Sequence, residues 1–571
     1  MKMTLLKNKL LFSGIFILMA LLGCRENTPS ATAKNEDLEI TWYRNPFIYN
    51  VDVDAFKDSD GDGIGDFKGL TWQLDYLKSI GVDVIWLSPF QPTPDKDDGY
   101  DITDYYSIDN RLGKEKDFNR FMLEAKKRNI KVIMDIVLNH TSIDHPWYQK
   151  ARADSTSKFN SWYVWSKKKP KDFDKGMVFP GVQTETWTWD DIAKQYYFHR
   201  FYDFQPDLNF SNKEVQQEAA NVLKFWLKKG MDGFRLDAVP FIIDIPETGS
   251  ASPEHMFDIL TMLRDSVKAI KPNAVLLGEA NVGAKENKDY FGDKGDRLQM
   301  MFNFYANQYL FYGLAEQDPV PFAKALEEFR EKPGSAQWAF FLRNHDEIDL
   351  GRLTKSERQK VYNKFGPEAN MQLYDRGIRR RLAPMLSDPK RVRMAYHLLF
   401  SLPGAPVIRY GEEIGMGDDL TLNERMSVRT PMQWDSTKNS GFSTAQKSFR
   451  PIISSGKYAY KNINVGKEDR DPASLLNFIK QMAKLRREHP EIGLGKWEVL
   501  KTKAKVLIIK YTYGNKTLIT TDNFSAEQQE VKLSAYTNGK SIVPLIADSQ
   551  QKMNADKVIL TGFGYEWYQL K

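Results

Sequence analysis

Eight short apolar runs, set between longer amphipathic stretches, constrain this chain more than any other feature. They are "LEITWY" (38–43), "VDVIWLSP" (82–89), "KVIMDIVLN" (131–139), "DGFRLDAV" (232–239), "AVLLGEA" (274–280), "LQMMFNF" (298–304), "QWAFFLRN" (337–344) and "APVIRYG" (405–411). Runs of this length, apolar on both faces, suit strands covered on both sides. Between most of them lie helical patterns such as "FNRFMLEAKKRN", "EVQQEAANVLKFWLKKG" and "HMFDILTMLRDSVKAI". Eight such units across residues 38–493 predict an α/β fold, a (β/α)8 TIM barrel and not a doubly wound sheet of fewer strands. The longest interruption, about 141–205 after the third strand, is rich in Trp, Tyr, Lys and Gly and predicts an inserted subdomain. A second insertion, after the seventh strand, carries "GIRRRLAPML"; its basic run Arg379–Arg381 reads as a solvated helix face, with phosphate binding as the alternative. From 494 to 571 the texture changes to short alternating runs such as "VLIIKYTYG" and "KTLITTDNF", which predict a C-terminal antiparallel β-sandwich domain.

A chain of 571 residues with 42% hydrophobic content buries a large core. Lys plus Arg exceed Asp plus Glu by only 81 − 75 = 6, too small a balance to argue for nucleic acid as a partner. There is no Gly-rich phosphate loop, HExxH or CxxC, so no organic cofactor is expected. The N-terminus has the pattern of an export signal over 1–23, three lysines followed by "LLFSGIFILMALLG". Cys24, the sole cysteine, ends that run in "LLGC", which resembles a bacterial lipobox. This predicts an exported lipoprotein, lipidated at Cys24 and joined to the barrel by a polar linker over 24–37, that meets the membrane through its anchor. The alternative is an ordinary cleaved leader with a chance cysteine.

The stretch "DSDGDGIGD" (58–66) matches the first half of a calcium loop, with Asp58, Asp60 and Asp62 at alternate positions, Gly63 at the turn and the Ile64 carbonyl after it. The second half fails, because Gly69 stands where a bidentate Glu closes an EF-hand, and the preceding segment alternates like a strand and carries Pro46. A hard-cation loop of another kind, with Asp66 as a further ligand, is expected; an acidic solvated turn is the alternative, at the expense of four mutually repelling carboxylates.

In a barrel, functional side chains gather at the C-terminal ends of the strands. Those ends supply Asn139 and His140, then Arg235 and Asp237, then Glu279, then His345 and Asp346. Each alone has an ordinary structural explanation, but three carboxylates, two histidines and an arginine on one rim exceed what packing needs. The set fits acid/base and nucleophilic chemistry on a polyhydroxylated substrate, and a 13% aromatic content offers faces for sugar stacking.

The segments "DIVLNH", "GFRLDAV", "GEA" and "RNHD", in that order, resemble the motifs of the α-amylase superfamily, glycoside hydrolase family 13. "HRFYDFQPDLNF", "GMDGFRLDAVPF" and "VRTPMQWD" are most similar to the branch that interconverts maltose and trehalose. The resemblance implies Asp237 as nucleophile, Glu279 as general acid/base and Asp346 as the carboxylate that grips sugar hydroxyls. Arg235 would keep Asp237 ionised, and His140 and His345 would bind the sugar at the cleavage point. Asp97, Tyr100 and Arg429 would close the blind end of the pocket, and Gln205 would sit near the acceptor. It also implies structural calcium at Asp58, Asp60, Asp62, Ile64 and Asp66. A second site would use Asn139, Asp207, the carbonyls of Phe241 and Ile242, and Asp244. Two departures mark that second site, Asp244 where a Glu is usual and Phe where a Tyr is usual; a third is Arg409, where an aromatic is common.

Three readings follow: a maltose–trehalose glucosylmutase, an exported α-glucosidase or α-amylase that hydrolyses short α-glucans, and an inactive sugar-binding protein. The intact Asp237, Glu279 and Asp346 set argues against the last.

Overall fold

The computed structural model describes residues 42–244, 256–537, 539–547, 552–554 and 557–571. The expected export signal, Cys24 and the expected linker lie outside them. Eight parallel strands close a barrel in sequential order: β1 Ile48–Val51, β2 Val84–Leu87, β3 Lys131–Ile136, β4 Gly233–Leu236, β5 Val275–Gly278, β6 Met300–Phe302, β7 Gln337–Phe341 and β8 Ala405–Arg409. β1 pairs with both β2 and β8, so no edge is left open. Seven strands fall within the expected runs. The exception is the first: the end of "LEITWY" and the next residue, Trp42–Arg44, form a 3-10 turn, and the strand begins after Pro46, which cannot donate to a ladder. Tyr43 is buried with the inward residues of the barrel, closing its lower end.

Alternation explains both faces. Ile48, Val84, Trp86, Ile133, Val275, Leu277, Met300, Phe302, Ala339, Phe341 and Val407 fill the interior. Their neighbours, among them Ile85, Leu87, Val132, Met134, Leu236, Leu276 and Ile408, pack outward in the larger core beneath the helices. Extending that period of two places Asp135, Arg235, Asp237, Glu279 and Arg409 on the inner side, at the C-terminal rim.

After β3 the chain makes the helix Pro146–Ala153 and a sheet of Trp165–Ser166, Gln195–Phe198 and Trp187–Asp190. After β7 it makes the helix Lys355–Phe365 and a small sheet of Ile348–Asp349, Gly377–Ile378 and Gln372–Leu373. The C-terminal region has a five-stranded and a three-stranded antiparallel sheet. Ile508, Ile519 and Tyr568 of one meet Val531, Val558 and Leu560 of the other, a sandwich core. Trp567 fixes this domain to the barrel, donating its indole N–H to Ser401 Oγ at 2.7 Å.

Candidate active site

Arg235 organises the floor of the site. It is 1% exposed inside the barrel mouth, and one terminal nitrogen, Nη1, reaches Asp135 Oδ1 and Asp237 Oδ1, each at 2.6 Å. Its other terminal nitrogen, Nη2, reaches Glu279 Oε2, also at 2.6 Å. Asp135 in turn accepts from Tyr100 Oη at 2.8 Å and from Trp86 Nε1 at 3.3 Å. Directly after Asp237 the chain turns left-handed at Ala238, φ 49°, a conformation that costs a non-glycine residue about 1–2 kcal/mol. The turn aims the Ala238 N–H at Glu279 Oε2, 3.1 Å away, so backbone strain at one carboxylate positions the other.

Burial pushes Asp237 up to about 7 against the pull of Arg235, and it pushes Glu279 up to about 7 in the same way, with the charge of Asp237 adding to the rise. Both carboxyl groups are held by the same guanidinium, Asp237 through Nη1 and Glu279 through Nη2. Arg235 favours the ionised form of Asp237, as expected, but one guanidinium is shared among three carboxylates and burial opposes it.

Asp346 has the opposite environment. Burial alone would raise it, but contacts with His345 at 3.2 Å, Arg425 at 2.8 Å and Arg429 at 3.1 Å hold its carboxyl well below the usual range. It is the permanently charged member of the three. Arg425 also pairs with Asp97 at 2.7 Å, and Arg429 with Asp98 at 2.5 Å. His345 stacks on Tyr100, interplanar angle 8°, and its Nε2 lies 2.6 Å from the Tyr100 hydroxyl. Burial pushes both histidines down, His140 to about 4, so each is neutral at physiological pH.

A cavity of about 740 Å³ opens above these groups. Asp97, Tyr100, His140, Asp237, Glu279 and Asp346 face it. Arg235, His345 and Arg429 stand behind that wall and act through the carboxylates they hold. Gln205 is fully buried and donates to Asp97 Oδ2 at 2.9 Å, bracing a carboxylate that faces the cavity. Over the cavity the two insertions and the loop after β8 meet. Phe179 packs on Tyr202 and Tyr374, centroids 4.8 and 4.6 Å apart, and both tyrosines donate to Glu424. Arg376 donates to the Val178 carbonyl.

Residues 47–495 match the α-amylase catalytic-domain family. The chain belongs to the α-amylase family. Within that family it is 40% identical over 518 residues to a trehalose synthase of Thermus thermophilus, an alignment that covers 89% of this chain but only 53% of that protein, about half its length. It is 37% identical over 544 residues to a trehalose synthase/amylase of Mycobacterium tuberculosis, covering 93% and 90% of the two. Among solved structures the trehalose-6-phosphate hydrolase of Bacillus licheniformis superposes with a TM-score of 0.76 at 26% identity, over 93% of this chain and 99% of that one.

In this α-amylase-family chain the acidic loop follows a single helical turn, Val53–Phe56, too short to be the entering helix of an EF-hand. Asp58, Asp60 and Asp66 bring one carboxylate oxygen each within 4.8 Å of one another. Asp62 stands outside that group and accepts from the Ile64 N–H at 2.8 Å. Of the second set, Asn139 and Asp207 lie on neighbouring segments, where the Leu208 N–H donates to the Asn139 carbonyl at 2.8 Å, and burial pushes Asp207 up to about 7. Phe241 and Ile242 lie in the short helix Val239–Ile243, and Asp244 follows it.

The basic run after β7 is neither a helix face nor solvated. Arg381 is fully buried on the Tyr410 carbonyl at 2.9 Å and Glu412 at 3.2 Å; Arg380 pairs with Asp418 at 2.8 Å; Arg379 donates to the Leu422 carbonyl. These arginines tie the insertion to the loop after β8. Arg409 projects into the barrel mouth, where it pairs with Asp52 and donates to Asn50 Oδ1 at 2.8 Å. Sequence reasoning missed Asp135, Asp98 and Arg425. A lone Asp two residues beyond Ile133 in "KVIMDIVLN" was a usable signal for the first; the other two are found only through their partners.

Proposed function

We propose that this chain is a retaining α-glucosyl enzyme that interconverts maltose and trehalose through a glucosyl-Asp237 intermediate. The observation that carries the reading is the carboxylate pair at the floor of a chamber whose rim both insertions form, an arrangement suited to hold a released glucose beside the glucosyl ester in competition with water. In the first step an Asp237 oxygen attacks C1 of the non-reducing glucose while Glu279 protonates the departing O4. In the second, O1 of the retained glucose attacks C1 of the glucosyl ester, Glu279 takes its proton, and Asp237 leaves as carboxylate. Water in place of that glucose gives hydrolysis. Their common arginine, 2.6 Å from each carboxylate, supports the close spacing of about 5–5.5 Å that retention needs over the about 6.5–9.5 Å of inversion. Asp346, held ionised, is placed to grip hydroxyls as positive charge develops on the sugar ring. Trehalose supplied alone should yield maltose, since the same two steps run backwards; its conversion to glucose without maltose would refute the mutase and leave a hydrolase.

The pH profile follows from the pair. As pH falls through about 7, Asp237 gains a proton and loses its nucleophilicity. As it rises through about 7, Glu279 loses the proton it must donate. The expected kcat/KM profile is therefore a bell centred near neutrality, whose two limbs belong to the pair jointly. A rate that keeps rising to pH 9 would contradict the assignment.

Structural calcium at the loop after β1 belongs to the same proposal. Three carboxylate oxygens within 4.8 Å suit one hard cation, while burial and the charges of Asp60, Asp58 and Asp66 push Asp62 up. A chelator should lower Tm, and Asp60→Ala should remove most of that sensitivity. An unchanged wild-type Tm would refute it. For the second set, Asp207, buried on a segment beside Asn139, supports a cation seat.

A further inference from the structure

We infer that Arg450 is a positioning residue for the donor pocket, carried there by a strap, residues 442–450, that is itself fastened to the acidic loop. The inference rests on the reading of Asp346 as a residue that touches the sugar.

The strap is fixed at both ends of the loop. The Asp58 N–H donates to the Phe442 carbonyl at 3.1 Å, Ser443 Oγ donates to Asp58 Oδ2 at 2.5 Å, and the Phe449 N–H donates to the Gly63 carbonyl at 3.0 Å. The next residue is Arg450. Its guanidinium is largely buried and takes three partners: Asp98 Oδ1, Asp54 Oδ2 at 3.3 Å and the backbone carbonyl of Arg429 at 3.0 Å. Asp98 is thus divided between two arginines, one oxygen to Arg450 and the other to Arg429. It is also held at φ 53°, a left-handed conformation that surrounding contacts must maintain. Arg429 spends its remaining donors on Asp346 and on the His345 carbonyl.

The consequence is electrostatic and geometric together. With Arg450 present, Asp98 is neutralised from both sides and Arg429 is free to share its fork with Asp346. Without it, Arg429 alone must serve Asp98 and Asp346, and its guanidinium is drawn toward the former. Asp346 then loses one of its two arginine contacts and its fixed position, and the sugar loses grip. No group of Arg450 reaches the cavity, so it acts only through Arg429 and Asp98.

The test uses the full-length enzyme with p-nitrophenyl α-glucoside, a substrate turned over whether the enzyme is a mutase or a hydrolase. Arg450→Met should raise KM, and the Kd for glucose measured by calorimetry, by about tenfold or more, the loss expected for a charge-assisted contact. Arg450→Lys should recover part of the loss. Ser443→Ala, which loosens the strap through its contact with Asp58, should move KM the same way by about two- to fivefold, measured at saturating calcium and keeping the test open if Arg450→Met does not fold. Asp346→Asn is measured beside them. If it leaves glucose affinity unchanged, the assignment of Asp346 fails and this inference fails with it. If Asp346→Asn destroys binding while the Arg450 and Ser443 variants keep wild-type KM and Kd, the positioning role is overturned and the site assignment stands. Variants that lose only Tm and active fraction, with KM unmoved, would show a purely structural strap.

Discussion

Asp237→Ala should lower turnover of maltose and of trehalose alike by roughly four orders of magnitude or more, because neither direction can proceed without the glucosyl ester. The fold should survive. Arg235 would still be paired with Asp135 and Glu279, so no buried charge is stranded. Glu279 should also titrate at lower pH in the variant, since the neighbouring negative charge that helps raise it is gone. Initial rates by chromatography, with Tm as the control for folding, are the measurement. Residual activity within about tenfold of wild type would mean that another group forms the intermediate.

The largest expected effect on stability lies at Arg409. It is fully buried and pairs with Asp52, which is held further by Ser88 Oγ at 2.6 Å. Arg409→Met leaves Asp52 charged and without its arginine inside the barrel mouth, which costs about 3–5 kcal/mol. A Tm several degrees below wild type is expected. The double variant Asp52→Asn with Arg409→Met removes both charges and should regain much of the loss, as a coupled pair does. Equal Tm values for wild type and Arg409→Met would show that the pair adds nothing.

These two sites differ in how far the sequence disclosed them. Asp237 and Glu279 were legible because strand runs fix a period of two, and the rim positions follow from where each run ends. Arg409 stood out as a departure, but its purpose depends on Asp52, a residue at the end of β1 that only barrel closure brings beside β8. The same holds for Arg425, which lies in a 3-10 turn without periodicity and acquires meaning from Asp97 and Asp346. The basic run Arg379–Arg381 misled because charge adjacency usually marks a solvated face, whereas here each guanidinium meets a different carbonyl or carboxylate of the loop after β8. What Gln205 holds was not legible either, since its amide donates to Asp97, 108 positions away and brought beside it only by the fold. The first strand shifted because Pro46 interrupts a run whose alternation otherwise looks continuous.

The central claim is that glucose released from maltose stays in the chamber and attacks glucosyl-Asp237 before water does. It is tested most directly by incubating the purified enzyme with unlabelled maltose and an excess of 13C-labelled glucose, then analysing the products by NMR. The account predicts trehalose as the main product, glucose as a minor one, and little label in the trehalose. Conversion of maltose almost wholly to glucose would contradict it and make the chain a hydrolase; trehalose labelled to the level of the free glucose would show that the chamber does not retain its own.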